Sequence, residues 1–146
     1  MENQQTEKKE QKKKPEKRVL VTGARRAAIA RAVARIGTGK VVVNSAPLEV
    51  FPELPRLMMS EPLILAGEKG KDVDISVNVS GGGIIGQAEA VRQAIALSLL
   101  GFHKDLKQPF LQYDRTLLVS DFRRNEPHKP SRSKAGPRRH KQRSKR

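Results

Sequence analysis

Four arginines in the first third of the chain are the side chains best suited to chemistry with a charged partner. Arg25, Arg26, Arg31 and Arg35 lie close together, and no acidic residue interrupts residues 23–40. A guanidinium presents its donors in a planar fork that matches phosphate oxygens. Such a cluster also occurs on the solvated edge of an ordinary sheet, but the absence of balancing acids favours phosphate contact. The cluster therefore predicts a polyanionic partner.

The strongest concentration of charge lies at the C-terminus. The chain has 30 Lys and Arg against 15 Asp and Glu, a net charge of +15. Residues 123–146, here called the basic segment, contain 11 basic side chains against Glu126 and so carry +10. Binding through many phosphates weakens steeply with salt. Because no aromatic residue follows Phe122, the segment lacks base-stacking platforms, and we expect it to contact phosphates and sugars of folded RNA.

Residues for catalysis, metal binding or a cofactor are missing from the sequence. The absence of cysteine excludes a disulfide scaffold, a thiol nucleophile and Cys-ligated metal sites. His103, His128 and His140 are scattered and form no metal-ligand or triad pattern. Asp72 and Asp74 would share one face of a strand, where a solvated polar face explains them better than paired catalytic carboxylates. The sequence predicts a protein that is not an enzyme and uses no cofactor.

A glycine-containing segment at residues 37–40 (Gly-Thr-Gly-Lys) invites comparison with a phosphate-binding loop. That loop requires a glycine where Ala34 stands and Ser or Thr where Val41 stands. Since β-compatible runs flank the segment, it is predicted to be the turn of a hairpin between residues 27–36 and 41–44.

Gly81, Gly82 and Gly83 form a second glycine segment, placed just before a helical pattern. The free N–H groups of a helix N-terminus can hold an anion. A plain strand-to-helix turn that needs positive φ angles explains the same residues equally well. Both interpretations stay open at this point.

Residues 27–36 are compatible with either a helix or a strand. Their alanines favour a helix, whereas larger residues alternate strictly with Ala30, Ala32 and Ala34, which suits a strand with a face of small residues. The strand interpretation is favoured by the neighbouring glycines, and it would place Arg25, Arg31 and Arg35 on one face.

The remaining pattern indicates strands followed by one long amphipathic helix. Short helical turns broken by prolines are expected in residues 47–59, and a shorter helix over residues 103–111. The clearest elements are strands at residues 18–23 and 72–80 and a helix from Ile84 to a stop at Gly101. The predicted fold class is α+β, a two-layer α/β sandwich.

Composition divides the chain into three parts. Residues 18–122 are predicted to be one globular domain, because nearly all the apolar residues lie there. Residues 1–17 form a charged leader, and both this leader and the basic segment are predicted to be disordered until a partner orders them. No stretch is apolar enough to predict a membrane span or a signal peptide.

Taken together, these motifs resemble the small-subunit ribosomal protein S-nine family, and residues 112–127 resemble its archaeal and eukaryotic branch, called S-sixteen in eukaryotes. The resemblance covers residues 18–146. It is carried by Gly-Ala-Arg-Arg-Ala-Ala-Ile-Ala-Arg at residues 23–31, Gly-Thr-Gly-Lys-Val-Val-Val-Asn at 37–44, Val-Ser-Gly-Gly-Gly at 79–83, the Gln-Ala-x-Ala-Val-Arg run at 87–92, and residues 112–127. The ending Ser-Lys-Arg at residues 144–146 is similar to that of the bacterial branch. Two departures are Arg26 in place of a lysine and Gln142-Arg143 where bacterial relatives often have Gln-Phe.

The resemblance implies a domain of the ribosomal S-five second-domain type, located in the head of the small subunit. Its implied partners are the 3′ major domain of 16S-type ribosomal RNA, neighbouring head proteins and peptidyl-site tRNA, and its implied location is cytoplasmic. The tRNA anticodon stem would be contacted by Lys145 and Arg146. Ribosomal RNA would be contacted by Arg25, Arg26, Arg31, Arg35, Gly81, Gly82, Gly83, Arg123, Arg124, Lys129, Arg138, Arg139, Lys141 and Arg143.

Two alternatives with related folds remain. A basic protein subunit of an RNA-processing ribonucleoprotein such as RNase P would carry an arginine-rich helix motif, which this sequence lacks. A small-molecule kinase would need a longer chain and a serine-bearing glycine loop.

Overall fold

The computed structural model describes residues 17–124. Five strands form one sheet in the order β1-β2-β5-β3-β4. The strands are β1 (Arg18–Arg25), β2 (Ala28–Ile36), β3 (Val41–Val43), β4 (Ala46–Pro47) and β5 (Val73–Ser80). The α-helices are α1 (Glu53–Ala66), α2 (Ile84–Phe102) and α3 (Lys107–Tyr113), and short 3-10 turns cover Leu48–Val50, Gly67–Asp72, Lys104–Leu106 and Arg115–Leu117.

All neighbouring strands pair antiparallel except β3 and β5, which run parallel. Helix α2 packs on β1, β2 and β5, and α1 packs beside α2. The helices therefore cover one face of the sheet, which confirms the predicted two-layer α+β architecture. In the described part of the chain, no helix combines the length and apolar content that crossing a membrane requires.

Residues 28–36 form a strand, as the alternating pattern predicted. The four alanines of β2, Ala28, Ala30, Ala32 and Ala34, are all buried under α2. The adjacent Gly23 shows how close the helix comes, because a Cβ at this position would collide with the carbonyl oxygen of Ala90. Small residues on this face thus allow the helix backbone to approach the sheet.

The predicted hairpin at residues 37–40 is wrong. Strands β2 and β3 do not pair with each other, because β5 lies between them. The loop passes over the end of β5, where Gly37 N–H donates to Asp72 O at 2.9 Å and Ile75 N–H donates to Lys40 O at 2.8 Å. The sequence around residues 37–40 indicates only a turn, because β5, the strand that lies between β2 and β3, begins about 30 residues after β3.

The segment after β4 is more helical than predicted. Instead of one or two short turns within residues 47–59, the chain forms a 3-10 turn and then the 14-residue helix α1. Pro55 lies near the start of α1, where its missing N–H costs little. Pro62 lies in the interior of the helix and is buried. The other predicted elements are present, with α2 ending one residue past Gly101.

Candidate nucleic-acid interface

One face of the sheet has no helix over it within the described residues. In an antiparallel pair, directly opposed residues point to the same side. The cross-strand register therefore defines this side, here called the open face. Its outward residues are Arg18, Leu20, Thr22 and Ala24 of β1, Ile29, Arg31, Val33 and Arg35 of β2, Asp74, Ser76, Asn78 and Ser80 of β5, and Val42 of β3.

Arg31 lies in the middle of the open face. Its neighbours across the sheet are Thr22 and Asn78, both uncharged and exposed. Among the described residues, no acidic side chain forms an ion pair with Arg31. Its guanidinium is therefore available to an external anion.

Arg35 lies four residues further along β2, opposite Arg18 on one side and Asp74 on the other. Its side chain is 60% exposed, and its Nε is 3.9 Å from Asp74 Oδ2, which is a weak contact. At about 3.3 Å per strand residue, Arg31 and Arg35 are about 13 Å apart along the strand. The open face thus carries three arginines, joined at its border by Lys40.

Asp74 contributes to the fold by holding the loop between β2 and β3. Its Oδ1 accepts the backbone N–H of Thr38 at 2.8 Å and that of Lys40 at 3.0 Å. These hydrogen bonds, first that from Lys40 and then that from Thr38, lower the pKa of Asp74 below its usual value. Asp72 lies at the end of the preceding 3-10 turn and is exposed. Asp74 is thus engaged by the loop, and the open face keeps an excess of positive charge.

Arg25 does not share a face with Arg31 and Arg35, contrary to the prediction. It is opposed to Ala28, which is buried, so its side chain points to the helix side of the sheet. There it forms ion pairs with Glu89 of α2 and Asp121. Arg25 lies on β1 and Arg31 on β2, with a turn at Arg26 and Ala27 between them. An even spacing along the chain therefore does not place the two arginines on the same face of the sheet.

Arg26 occupies the β1–β2 turn with an exposed side chain and a φ of +53°. Few residues other than glycine adopt this conformation. The turn lies beside the second glycine segment, and together they line a shallow cleft that includes Ala27, Gly82 and Gly83. Arg26 and the three glycines, which are 55 residues apart in sequence, are thus neighbours in the fold.

Two of the three glycines are required by backbone geometry. Gly81 and Gly82 have φ values of +80° and +64°. A Cβ at Gly81 would collide with the carbonyl oxygen of Ala27, and one at Gly82 would lie 3.1 Å from the Cβ of Ala28. The turn interpretation therefore accounts for Gly81 and Gly82.

Gly83 differs from the other two. Its φ is −109°, and a Cβ there would meet no atom within 4 Å. It caps the N-terminus of α2, where no side chain caps the helix and no acidic residue lies in the first turn. No side chain accepts a cap hydrogen bond from the N–H groups at this end, which leaves the anion-binding interpretation available for Gly83.

Arg123 and Arg124 are exposed at the end of the described residues. The Arg123 side chain is 73% exposed, with its Nε 3.4 Å from Asp121 Oδ1. The other predicted sites, Lys129, Arg138, Arg139, Lys141, Arg143, Lys145 and Arg146, lie outside the described residues, as does most of the predicted leader.

Sequence reasoning missed a polar network on the helix side of the sheet. Arg92 of α2 forms ion pairs with Glu61 of α1 and with Asp114. Burial would raise the pKa of Asp114, but hydrogen bonds from Thr116 and Arg92 outweigh it and hold that pKa below its usual value. The partners of Arg92 are 22 and 31 residues away in sequence, so local spacing gave no signal for this network.

Within residues 17–124, no three His, Cys, Asp or Glu side chains lie close enough together to hold a metal ion. The chemistry offered by the described surface is charge and hydrogen-bond donation: arginines on an open sheet, an uncapped helix end, and the start of the basic segment.

Comparison with known proteins identifies relatives over most of the chain. Residues 23–146 match the protein family described as ribosomal protein S9/S16. The chain is also similar to proteins named small ribosomal subunit protein uS9, over 129 residues that span 86% of this chain and 96% of each relative. Identity is 50% for the protein of Methanococcus maripaludis strain C5, 49% for that of strain C7 and 49% for that of Methanococcus vannielii.

Proposed function

The chain belongs to the ribosomal protein S9/S16 family, and we propose that it is a structural constituent of the small ribosomal subunit. In this role it binds 16S-type ribosomal RNA in the subunit head, beside neighbouring head proteins, in the cytoplasm. Its contribution to translation is structural and not enzymatic. The proposal follows the names of its relatives, each called a small ribosomal subunit protein.

The observation that carries RNA binding is the open face of the sheet. Because no helix covers it within the described residues, this face exposes apolar side chains as well as polar ones. Leu20 is 76% exposed and Val33 is 43% exposed, and both lie beside the arginines of the open face. Arg31 has no acidic partner among the described residues, and Arg35 has only a weak one. Two guanidinium groups at fixed positions on a strand can each bind a phosphate of a folded RNA.

The β1–β2 turn and the start of α2 supply a second contact. Arg26 and Gly83 line one cleft, where an exposed guanidinium lies near uncapped helix N–H groups. Both favour a negatively charged group. We assign this cleft to a phosphate of the same RNA.

The basic segment supplies the third contact. Its predicted ribosomal RNA contacts are Arg123, Arg124, Lys129, Arg138, Arg139, Lys141 and Arg143, with Lys145 and Arg146 reaching the anticodon stem of peptidyl-site tRNA. The support is its charge of +10 together with the resemblance of its ending to that of relatives. Folded RNA is the partner class that such a density of cations suits.

The experiment measures binding of the full chain to a fragment of the ribosomal RNA 3′ major domain across a salt series. Arg31→Ala with Arg35→Ala is expected to weaken binding and to reduce the slope of log K against log salt by about 1.4 to 1.8, since each of the two phosphate contacts contributes about 0.7–0.9. The matched control, Arg56→Ala with Lys107→Ala, removes the same charge from exposed positions on α1 and α3. Equal effects of the two pairs would show that net charge, and not the open face, governs binding.

Sedimentation gives the complementary readout. The wild-type chain is expected to travel with small ribosomal subunits in a sucrose gradient at two salt concentrations. Co-sedimentation with a smaller catalytic RNA would favour an RNA-processing particle and contradict the proposal.

A further inference from the structure

The chain after the last 3-10 turn stays on the domain through polar contacts. Residues 119–124 form no regular helix or strand. Val119 is 44% exposed and Phe122 is 90% exposed, so apolar burial does little to hold this stretch. Its attachment must come from hydrogen bonds and ion pairs.

Gln93 provides the first attachment. Its side chain, on a residue only 3% exposed, lies between the end of β1 and the departing chain. Its Oε1 accepts the Ala24 N–H at 2.9 Å, and its Nε2 donates to Ser120 Oγ at 3.2 Å. One buried amide thus joins a sheet strand, α2 and residue 120.

Arg25 and Asp121 provide the second attachment. They form an ion pair in which the side chain of Asp121 is 8% exposed and that of Arg25 is 25% exposed. Arg25 also forms an ion pair with Glu89 of α2, which forms no ion pair with the described residues of the departing chain. The other carboxylate oxygen of Asp121 accepts the Arg123 N–H at 2.8 Å, which sets the direction of the backbone where the basic segment begins.

We propose that Arg25, Gln93 and Asp121 form an exit clamp that fixes where, and in which direction, the basic segment leaves the domain. In this role Arg25 is a positioning residue for RNA binding and not itself an RNA contact. The inference rests on the proposed function, in which the open face and the basic segment bind the same RNA. Two linked binding elements reinforce each other most when the geometry of their connection is fixed, because less freedom is lost on binding.

The clamp makes a prediction of opposite sign to simple electrostatics. Asp121→Asn removes a negative charge beside the basic segment and releases Arg25, so charge alone would strengthen RNA binding. The asparagine can still accept the Arg123 N–H. If the clamp acts as proposed, this substitution instead weakens binding, about 3- to 10-fold, because the ion pair to Arg25 is lost.

The control is Glu89→Gln, which removes the same charge from the other partner of Arg25 without touching residues 120–123. It is expected to leave affinity unchanged or slightly higher. Ser120→Ala changes no charge and removes one hydrogen bond, and it is expected to weaken binding about twofold. Because that substitution is small, it keeps the test valid if Asp121→Asn folds poorly, which thermal unfolding of each variant checks.

Coupling to the basic segment separates the clamp from a general effect on the domain. The probe is a fragment of the 3′ major domain of ribosomal RNA, and the second background replaces Arg138, Arg139, Lys141 and Arg143 with alanine in the full chain. The Asp121→Asn effect is expected to disappear in this background, as a double-mutant cycle measures. An effect of the same size in both backgrounds, or stronger binding by Asp121→Asn, overturns the clamp. If the four alanines alone cost no affinity, the RNA-binding role of the segment fails first, and the clamp with it.

Discussion

At the scale of single residues, the direction in which an arginine points depends on the chain turn between strands. Arg25 and Arg31 are six residues apart, which in one continuous strand would place them on the same face. The turn at Arg26 and Ala27 ends β1 and starts β2, and the register then opposes Arg25 to Ala28 and Arg31 to Thr22. One arginine of the cluster is therefore internal, while Arg31 and Arg35 face outward.

Asp74 carries a prediction at this scale, because it holds the loop between β2 and β3. Asp74→Ala is expected to lower the free energy of unfolding by about 1–3 kcal/mol at pH 7, since two backbone N–H groups lose a charged acceptor. The pKa of Asp74 is lowered in the folded state, so its stabilisation is present above the unfolded pKa near 3.8 and is lost as pH falls through the lower folded pKa.

Denaturant unfolding of the wild type and the variant at pH 7, 5, 4 and 3 measures this contribution. The difference between the two proteins is expected to shrink as the pH falls below about 4. Asp72→Ala is the matched control, because Asp72 is exposed and lies two residues away. A difference that stays constant over the whole pH series would contradict the role assigned to the carboxylate.

At the scale of elements, the close approach of α2 to the sheet decides the architecture. The buried alanines of β2 and Gly23 of β1 leave room for the backbone of α2 near Ala90 and Ala94. Larger side chains at the interface would push the helix outward and disturb the packing of the core. This spacing also positions Gln93, which contacts Ser120 where the chain leaves the domain.

Gly23→Ala tests the close approach. An added Cβ would collide with the carbonyl oxygen of Ala90 and lie 2.8 Å from the nitrogen of Ala94, so we expect a loss of about 1–3 kcal/mol in the free energy of unfolding. Gly83→Ala is the control. It has a negative φ and open space, and its effect is expected to be smaller, below about 1 kcal/mol, since only the preference of the N-cap for glycine over alanine is lost. Comparable losses in the two variants would show that glycine-specific packing at β1 is not the cause.

At the scale of the whole molecule, charge and core are separated along the chain. Residues 19–122 have 12 basic and 10 acidic side chains, whereas the 24 residues of the basic segment carry +10. A nearly neutral domain can fold around its own core without strong internal repulsion. The excess charge is then concentrated where the chain leaves that domain.

The last two residues carry the prediction at this scale. Lys145→Ala with Arg146→Ala is expected to weaken tRNA binding to the peptidyl site of reconstituted small subunits several-fold, with little change in incorporation of the protein. The control, Lys12→Ala with Lys13→Ala, removes the same charge from the other end of the chain. Filter binding of tRNA across a salt series measures the effect. Unchanged tRNA affinity at every salt concentration would refute the tRNA role.

Much of this protein follows from its sequence because the relevant signals are local. Alternation of large residues with alanine determined β2, alternation of valine or isoleucine with polar residues determined β5, and helical spacing up to Gly101 determined α2. Charge counts separated the basic segment from the domain without any structure. These patterns repeat every two to four residues, so they are visible in a short window.

Only the tertiary structure decided which segments meet. In the fold, β5 lies between β2 and β3, and Arg26 lies beside Gly83. Arg25 forms an ion pair with Asp121, 96 residues later in the chain. The physical reason is that strand order and ion-pair partners depend on packing between distant segments, which the spacing of neighbouring residues does not encode. The sequence by itself determined β1, β2, β5, α2 and the location of the charge. The fold determined the extent of α1, which arginines face outward, and that Arg25 instead contacts the exit of the basic segment.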